Sequence, residues 1–359
     1  MSLSEVLTAN NKTLSTLNSL LATQPALVSA LSSAQGITIL APSNDAFSKI
    51  LSTSTGTALQ NDPSLLTAVL QYHVLNGTVP STAFTTTAQF IPTLLTNTSY
   101  SNVTGGQVVM GILSGKSVEV FSGLKEKSTV TTADIMFTGG VVHVIDTVLT
   151  VPPSVAVSAV DSSLTALAGA LTQTNLVTTV DALKDVTVFA PSNNAFQAIG
   201  SATGSLTTDQ LSSILEYHVI AGTVGYSSLL TSGLANESLP TVFGGEEVRV
   251  ESTGRKVFVN SAQVVIADVI VANGVMHVID NVLNPSNTTA SPVPTATQQA
   301  VAFAGVSSAS NVPFTSGISA TTTAPSASTM TAAAFGGMPS GAVGMAALFG
   351  AGAAVVVGF

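Results

Sequence analysis

The sequence predicts an α+β protein made of two tandem domains that share one fold. The first observation is an internal duplication, because three sequence blocks occur twice in the same order. The second is the pattern within each copy, where leucines at helical spacing come first and short apolar runs come last. The third is a change of composition, because no charged residue follows Asp280. We therefore expect two folded α+β domains followed by a disordered tail rich in Ser and Thr.

The three repeated blocks define the two copies. They pair residues 38–47 with 187–196, 72–79 with 217–224, and 140–149 with 274–283. Copies of this length have the size of ordinary domains rather than of solenoid repeats. Residues 1–150 are predicted to form the first domain and 156–284 the second. The stretch 151–155 between them contains Pro152 and Pro153, which predict a short, stiff linker.

Each copy is predicted to begin with helices and to end in strands. The leucines and valine at helical spacing are Leu14, Leu17, Leu20, Leu21, Leu27, Val28 and Leu31 in the first copy, and Leu164, Leu167 and Leu171 in the second. Residues 37–40 and 186–189 are predicted strands, and Ser43 and Ser192 after them are predicted helix caps. Further strands are predicted at 108–112, 116–121, 248–250 and 256–259. The polar stretch 84–104 is predicted to be an extended surface loop.

The composition excludes several classes of function. The chain has 359 residues, of which 8% are charged, and its 9 basic residues face 18 acidic ones. A nucleic-acid partner is therefore not expected, because such proteins present clustered positive charge. The chain has no cysteine, which excludes disulfides, zinc–thiolate sites and thiol nucleophiles. We expect no cofactor and no metal.

Four histidines are the strongest candidates for chemistry, because all four occupy repeated positions. They are His73, His143, His218 and His277. Each lies among apolar residues and lacks a second ligand at metal spacing, which favours buried structural histidines over catalytic or metal-binding ones. His143 and Asp146 lie three residues apart in a predicted strand and so point to opposite faces. No nucleophile elbow, zinc-binding helix or phosphate loop is present, and the chain is predicted not to be an enzyme.

The three blocks, in this order and twice over, resemble the fasciclin-like (FAS1) adhesion domain. The resemblance covers nearly the whole of both predicted domains. It implies that each domain is a wedge-like β-sandwich with helices packed on it, and that the chain acts in cell adhesion or in matrix organisation. The absence of cysteine and the Ser/Thr-rich tail resemble the fungal cell-surface members of the family.

The resemblance also implies candidate adhesion contacts. In some animal members an Asp-Ile motif and the Tyr-His region are linked to integrin binding. The matching residues are Tyr72, His73, Asp134 and Ile135 in the first domain, and Tyr217, His218 and Asp268 in the second. The alternative interpretation is that Tyr72 and Ile135 belong to the core and that Asp134 caps a turn. Val269 replaces isoleucine in the second copy, which weakens the motif there.

Six Asn-x-Ser/Thr sequons are candidate N-glycosylation sites. They are Asn11, Asn76, Asn97, Asn102, Asn236 and Asn287. Chance sequons are frequent in a chain rich in Ser and Thr, so position is the better guide. The extra length of the first copy favours Asn97 and Asn102, and the turn after the Tyr-His block favours Asn76.

The tail divides into two segments. Residues 285–340 are rich in Ser, Thr, Ala and Pro and are predicted to be a disordered stalk, either O-glycosylated or unmodified. Residues 341–359 are apolar to the last residue, with no basic residue after them, which favours a GPI-attachment signal over a transmembrane helix. Ser326, Ala327 and Ser328 form a candidate attachment region. Residues 1–10 contain no visible signal peptide, so secretion predicts one upstream.

We therefore expect a cell-surface protein, attached to the membrane through its C-terminus, that binds surface proteins or cell-wall and matrix glycans. Two linked domains can raise avidity when both reach a partner. One alternative is a structural wall component without a discrete ligand. Another is a module that binds a small molecule or lipid between the sheet and the helices.

Overall fold

The computed structural model of the chain describes residues 1–254 and 256–318. These residues form two compact units, the first Met1–Pro152 and the second beginning at Pro153. The boundary falls inside the stretch 151–155 for which the sequence predicts a linker. The end of the predicted stalk (319–340), the apolar segment 341–359 and the candidate attachment residues Ser326, Ala327 and Ser328 lie outside the described residues.

Six helices lie in the first half of the first domain, three before its first strand and three after it, and cover the sheet. Their bounds are α1 Leu3–Ala9, α2 Asn11–Ala22, α3 Pro25–Ser33, α4 Asn44–Leu51, α5 Ser54–Asn61 and α6 Pro63–Tyr72. Ser43 accepts a hydrogen bond from the amide of Ala46 at the start of α4, as its sequence context predicts. Asp62 accepts from the amides of Ser64 and Leu65 at the start of α6. These side chains satisfy amides that a helix start leaves without a helical partner.

Seven strands form one sheet in the first domain. Their bounds are β1 Ile37–Pro42, β2 Val74–Asn76, β3 Gln89–Pro92, β4 Val108–Ser114, β5 Ser117–Phe121, β6 Lys127–Phe137 and β7 Gly140–Ile145, with short 3-10 turns at Ser81–Ala83 and Gly123–Lys125. The strand order is β2-β1-β7-β6-β5-β4-β3, and only β1 and β7 pair in parallel. The two ends of the sheet meet, because Leu75 bridges Thr93 and the amide of Leu94 donates to the carbonyl of Val74. In place of the two separate layers of the expected wedge-like β-sandwich, the first domain has a single sheet that nearly closes on itself.

The second domain repeats this architecture. Its helices are α7 Val155–Asp161, α8 Thr165–Gln173, α9 Val177–Ala182, α10 Asn193–Ala198, α11 Gly200–Thr203, α12 Thr208–Glu216 and α13 Ser227–Leu230. Its strands are β8 Val186–Pro191, β9 Val219–Ile220, β10 Ser238–Pro240, β11 Glu247–Thr253, β12 Lys256–Val259, β13 Ala262–Val271 and β14 Gly274–Ile279. The order β10-β11-β12-β13-β14-β8-β9 matches that of the first domain. The predicted α+β class, with two tandem domains, is confirmed.

A glycine begins the last strand of each domain for a steric reason. Gly140 has φ 154° and pairs with Ile37 across the parallel β1–β7 contact. A Cβ atom at this position would overlap the carbonyl oxygen of Ile37. Gly274 in β14 has φ 156° and stands in the same relation to Val186. Only glycine tolerates both this backbone conformation and this approach of two chains.

The helical leucines form the layer that covers the sheet. Leu14 is fully buried and Leu17 is 3% exposed, and both belong to the cluster that contains Leu40 of β1. Leu167 and Leu171 occupy the same place in the second domain. Because burying one such side chain contributes about 1.5–3 kcal/mol, these layers are the main source of stability in a chain without disulfides.

Residues 84–104 differ from the predicted extended loop. They include β3, and Phe84 and Leu95 are 3% and 0% exposed. The strand closes the sheet, which requires buried apolar side chains even in a segment of polar composition.

The start of the predicted stalk also differs from its prediction. Residues 285–318 lie against the second domain, and Phe303, Val312 and Phe314 pack on its core. Composition averaged over 285–340 hides these few apolar residues, which is why the sequence predicts disorder from residue 285. The predicted stalk therefore does not begin before residue 319.

Candidate functional site

The Tyr-His block lies at the end of helix α6, where both side chains turn into the core. Tyr72 is the last residue of α6 and is fully buried. Its hydroxyl donates to the carbonyl oxygen of Val108 in β4 at 2.9 Å. This bond joins α6 to β4, which lies near the opposite end of the sheet from β2.

His73 caps the same helix and is 3% exposed. Its Nδ1 lies 2.7 Å from the carbonyl oxygen of Val69, and its Nε2 accepts from the amide of Leu149 at 2.9 Å. Since the amide can only donate, Nε2 carries no proton and Nδ1–H donates to Val69. Burial lowers the pKa of His73 from 6.5 to about 4, while the hydrogen bond to Val69 opposes this shift. The ring is a neutral connector between α6 and the C-terminal block.

The second domain contains the same arrangement. Tyr217 is fully buried, and its hydroxyl donates to the carbonyl oxygen of Glu247 at 2.8 Å. His218 makes the contacts of His73, to Ile214 at 2.7 Å and to Leu283 at 2.9 Å. Burial lowers its pKa to about 4 as well. A neutral imidazole with both ring nitrogens hydrogen-bonded occurs in both domains, which indicates a structural role.

The other histidine pair connects a bulge to a loop. The amide of Asp134 donates to Nδ1 of His143 at 3.1 Å, so Nε2–H donates to the carbonyl of Val79 at 2.9 Å. Asp134 adopts φ 60° at a register shift in β6. Its carboxylate accepts from the amide of Ser81 at 2.8 Å and from the Ser81 hydroxyl. These two bonds hold the pKa of Asp134 below its ordinary value.

The same chain of contacts recurs in the second domain. The amide of Asp268 donates to Nδ1 of His277 at 3.3 Å, and Nε2 of His277 lies 2.8 Å from the carbonyl oxygen of Gly225. The carboxylate of Asp268 accepts from the amide of Ser227 at 2.8 Å. The interpretation of Asp134 as a turn cap therefore holds for both copies.

The aspartates three residues after His143 and His277 do not bond these histidines. Asp146 accepts from the amide of Thr129 at 2.8 Å, and Asp280 accepts from the amide of Gln263 at 2.7 Å. Both carboxylates bond backbone amides of the neighbouring strand rather than the histidine three residues earlier. The described residues include no group of three or more side chains that could hold a metal ion.

The candidate contacts differ sharply in accessibility. Tyr72, His73, Tyr217 and His218 are buried, and Asp268 is 2% exposed. These side chains cannot contact a partner while the domain is folded. In the first domain, Asp134 is exposed and Ile135 is half-buried. Of the seven candidate adhesion contacts, Asp134 and Ile135 are therefore the two that a partner could reach.

An exposed surface surrounds Asp134, and most of it escaped the sequence reasoning. We call it the β6 patch, defined by Thr131, Thr132, Ala133, Asp134 and Met136. Met136 is 61% exposed and is the only exposed large apolar side chain in a strand of the described residues. The apolar residues around it give no sequence signal of this exposure. The matching Ile270 in β13 is 1% exposed.

The sequons also differ in exposure. Asn11, Asn76, Asn97 and Asn236 are exposed, whereas Asn102 and Asn287 are half-buried. The side-chain amide of Asn287 donates to the carbonyl oxygen of Ala302 at 3.0 Å. The side chain of Asn97 accepts from the amide of Ser99 in a local turn. Exposure therefore favours Asn76 and Asn97 among the three sites that sequence position favours.

Among residues 1–254 and 256–318, no helix has the length and apolar character needed to cross a bilayer.

The fold and its buried, twice-repeated hydrogen-bond networks define a duplicated α+β module in which the repeated histidines are structural. Comparison with known proteins agrees. The fasciclin domain matches residues 12–152 and 162–285, so the chain belongs to the fasciclin domain family. Membership supports a cell-surface, adhesion-type role, in a family whose members are generally not enzymes.

Several relatives are similar over most of the chain. A fasciclin-like arabinogalactan protein of Arthroderma benhamiae is 36% identical over 307 residues, covering 85% of this chain and 72% of its own length. Another from Phaeosphaeria nodorum is 31% identical over 278 residues, covering 77% and 86%. A solved FAS1 domain pair from the insect cell adhesion molecule Fasciclin I is 21% identical, with TM-score 0.36, over 77% of this chain and 98% of that one.

Proposed function

We propose that this chain acts at the cell surface by binding a surface protein or a cell-wall or matrix glycan through the β6 patch of its first domain. The observation that carries this function is the exposure of Met136, which is 61% accessible near the end of strand β6. The same strand segment exposes Thr131 and Thr132, so it combines an apolar anchor with hydrogen-bonding groups, as binding surfaces do.

Asp134 contributes a fixed negative charge to this patch. Its carboxylate is held by Ser81 and is exposed, so it offers a rigid acceptor for a hydroxyl group or a cationic side chain. A rigid acceptor loses less conformational entropy on binding than a mobile one. Asp134 thus has two roles, since it positions the loop that follows β2 and also presents charge beside Met136.

The chain is proposed to act by binding rather than by catalysis. All four histidines are buried, and each has both ring nitrogens engaged with backbone groups. A general base must reach a substrate proton within hydrogen-bond distance. None of these rings offers a nitrogen for that purpose.

The β6 patch can be tested with a charge placed at its centre. Met136→Lys is expected to weaken binding of the full chain to wall glycans or surface proteins by about tenfold or more, because it introduces a desolvation cost of at least about 1.4 kcal/mol. The matched control is Val293→Lys, another exposed apolar residue, at 54%. Saturation binding to immobilised wall fractions measures both variants.

The outcomes separate the candidate functions. Loss of saturable binding for Met136→Lys alone supports adhesion through the patch. Equal binding by both variants contradicts it. Wild-type protein that binds no fraction but stays covalently in the wall supports a structural component instead. Extraction of lipid by the wild type supports the small-molecule or lipid-binding alternative.

We further propose that a GPI anchor added near Ser326, Ala327 or Ser328 holds the chain at the membrane. The support is compositional, since small residues at 326–328 precede a spacer and an apolar end. Phosphatidylinositol-specific phospholipase is expected to release the protein from intact cells, with no residue of 341–359 detectable by mass spectrometry. Retention with Phe359 still present would contradict this anchor.

A further inference from the structure

The segment 301–318, which we call the latch segment, runs over helices α8, α10 and α11 of the second domain. It is uncharged and rich in Ser, Ala and Gly. Three asparagine side chains lead into it, because the amides of Asn281, Asn284 and Asn287 donate to the carbonyl oxygens of Ala300 and Ala302 at 3.0–3.1 Å. The chain that leaves β14 is thereby directed back onto its own domain.

Backbone hydrogen bonds hold the latch segment in register. The amide of Ser201 donates to the carbonyl of Ser307, and the amide of Ala309 donates to the carbonyl of Gln197, both at 3.0 Å. The amide of Ser307 donates to Oγ of Ser201 at 2.8 Å. The side-chain amide of Gln197 lies 3.2 Å from the carbonyl of Ala309 and 3.3 Å from that of Ser310. Such paired bonds specify one alignment rather than a loose association.

Apolar side chains anchor both ends of the segment. Phe314 meets the buried Phe196 of α10 edge to face, with ring centroids 5.8 Å apart. Phe303, Val306, Val312 and Ile318 pack against the same core cluster. Each of these contacts is made by a segment whose overall composition predicts no fold.

The surface under the segment is shaped for it. A Cβ atom on Gly169 of α8 would overlap the carbonyl oxygen of Phe314, and one on Gly200 of α11 would overlap Ala309. The residues between Ala166 and Leu171 are all buried. A run of small residues on α8 therefore leaves space that only the latch segment fills.

The first domain lacks this surface. The amide of Thr16 donates to Asn44 as the amide of Ala166 donates to Asn193, which aligns α2 with α8. In this alignment Ser19, exposed on α2, occupies the position of Gly169. Helix α2 exposes this polar position, whereas the latch segment covers the small residues of helix α8. Because both domains share one fold, the covered surface results from the sequence of the second copy and not from the fold.

We infer that the helical face of the second domain is a docking surface for the chain's own residues 301–318, which act as a specific latch. The latch moves the point where the tail leaves the domain from the end of β14 to the helical side. Its occupant is the segment of the same chain, because the three asparagines hold residues 281–302 against the domain they come from.

Gly169→Ala in the full chain tests the latch. Alanine favours a helix by about 1 kcal/mol over glycine, so α8 is expected to remain folded while the latch is expelled. Chymotrypsin is expected to cleave after Phe303 and Phe314 about tenfold faster than in the wild type, which corresponds to about 1.4 kcal/mol of lost docking. The amides of Ser307 and Ala309 are expected to exchange faster as well.

The matched control is Gly204→Ala, since Gly204 has open space at its Cβ position and follows α11 directly. It should leave cleavage unchanged. Phe314→Ser tests the latch from its own side without touching a helix, and should speed cleavage after Phe303. Unchanged protection in both Gly169→Ala and Phe314→Ser would overturn the latch. Wild-type protection that appears only at concentrations where the chain dimerises would assign the occupant to a second copy and overturn the assignment within one chain.

Discussion

Replacing Tyr72 with alanine is expected to unfold the first domain rather than to remove a surface contact. The ring is fully buried, and large-to-small aromatic substitutions in cores cost about 3–5 kcal/mol. The carbonyl of Val108 also loses its hydroxyl donor, which adds about 1–3 kcal/mol. Since typical domains are stable by about 5–15 kcal/mol, the sum removes most of the stability available. Hydrogen exchange resolved by peptide should show loss of protection across Met1–Pro152.

Tyr72→Phe is the matched control, because it removes the hydroxyl and keeps the ring. It is expected to cost about 1–3 kcal/mol and to leave the domain folded. Any adhesion measured with this variant should equal that of the wild type. A folded Tyr72→Ala chain that binds less would contradict the structural role and restore Tyr72 as a contact residue.

Acidification is expected to destabilise the first domain by about 3 kcal/mol through His73. Its pKa is about 4 in the folded domain and 6.5 as the ordinary value. The unfolded chain therefore binds the proton first, so the stabilisation is complete above pH 6.5 and is lost as the pH falls towards 4. Burial of the ring, which penalises its charged form, is the cause of this low pKa. Urea denaturation between pH 7 and 4 measures the loss.

The second domain should lose less stability over the same range. His218 has the same low pKa, but burial raises the pKa of Asp161 to about 6 and also raises the pKa values of Asp181 and Asp280. In the first domain, burial raises the pKa of one such carboxyl group, Glu126. Carboxyl groups of this kind bind protons first in the folded state, and they oppose the histidine. His73→Asn should flatten the pH dependence of the first domain. An unchanged slope in that variant would show that another group causes the acid sensitivity.

The sequence predicted most of the fold because the signals were local and occurred twice. Serine caps such as Ser43, helical leucines and the apolar runs of β1 and β8 each specify one element by short-range chemistry. The parallel insertion of β7 beside β1 could not be predicted, because it depends on contacts between residues about a hundred positions apart. The prediction of a surface loop over 84–104 was wrong for the same reason, because the closure of the sheet decides the burial of this segment.

The candidate site was harder to predict than the fold. Tyr72 and Asp134 belong to equally noticeable repeated motifs, yet one is in the core and the other is exposed. Composition cannot distinguish them, because burial follows from the direction of a side chain at a helix end or a bulge. In the tail, Phe303 and Phe314 are too few to alter an average over 56 residues. The available signal for the latch was Gly169 among the alanines of α8. Its meaning depends on the segment that packs against it, which the sequence alone does not identify.

The central place of the last strand has a consequence for synthesis. Because β7 lies between β1 and β6, the first domain cannot complete its sheet until residue 145 has left the ribosome. Until then β1 exposes an unpaired edge, and the nascent chain must keep its helices and the β3–β6 meander apart from other strands. The second domain meets the same requirement at β14. Each domain therefore folds late and as a whole, with contacts distant in sequence that slow its formation.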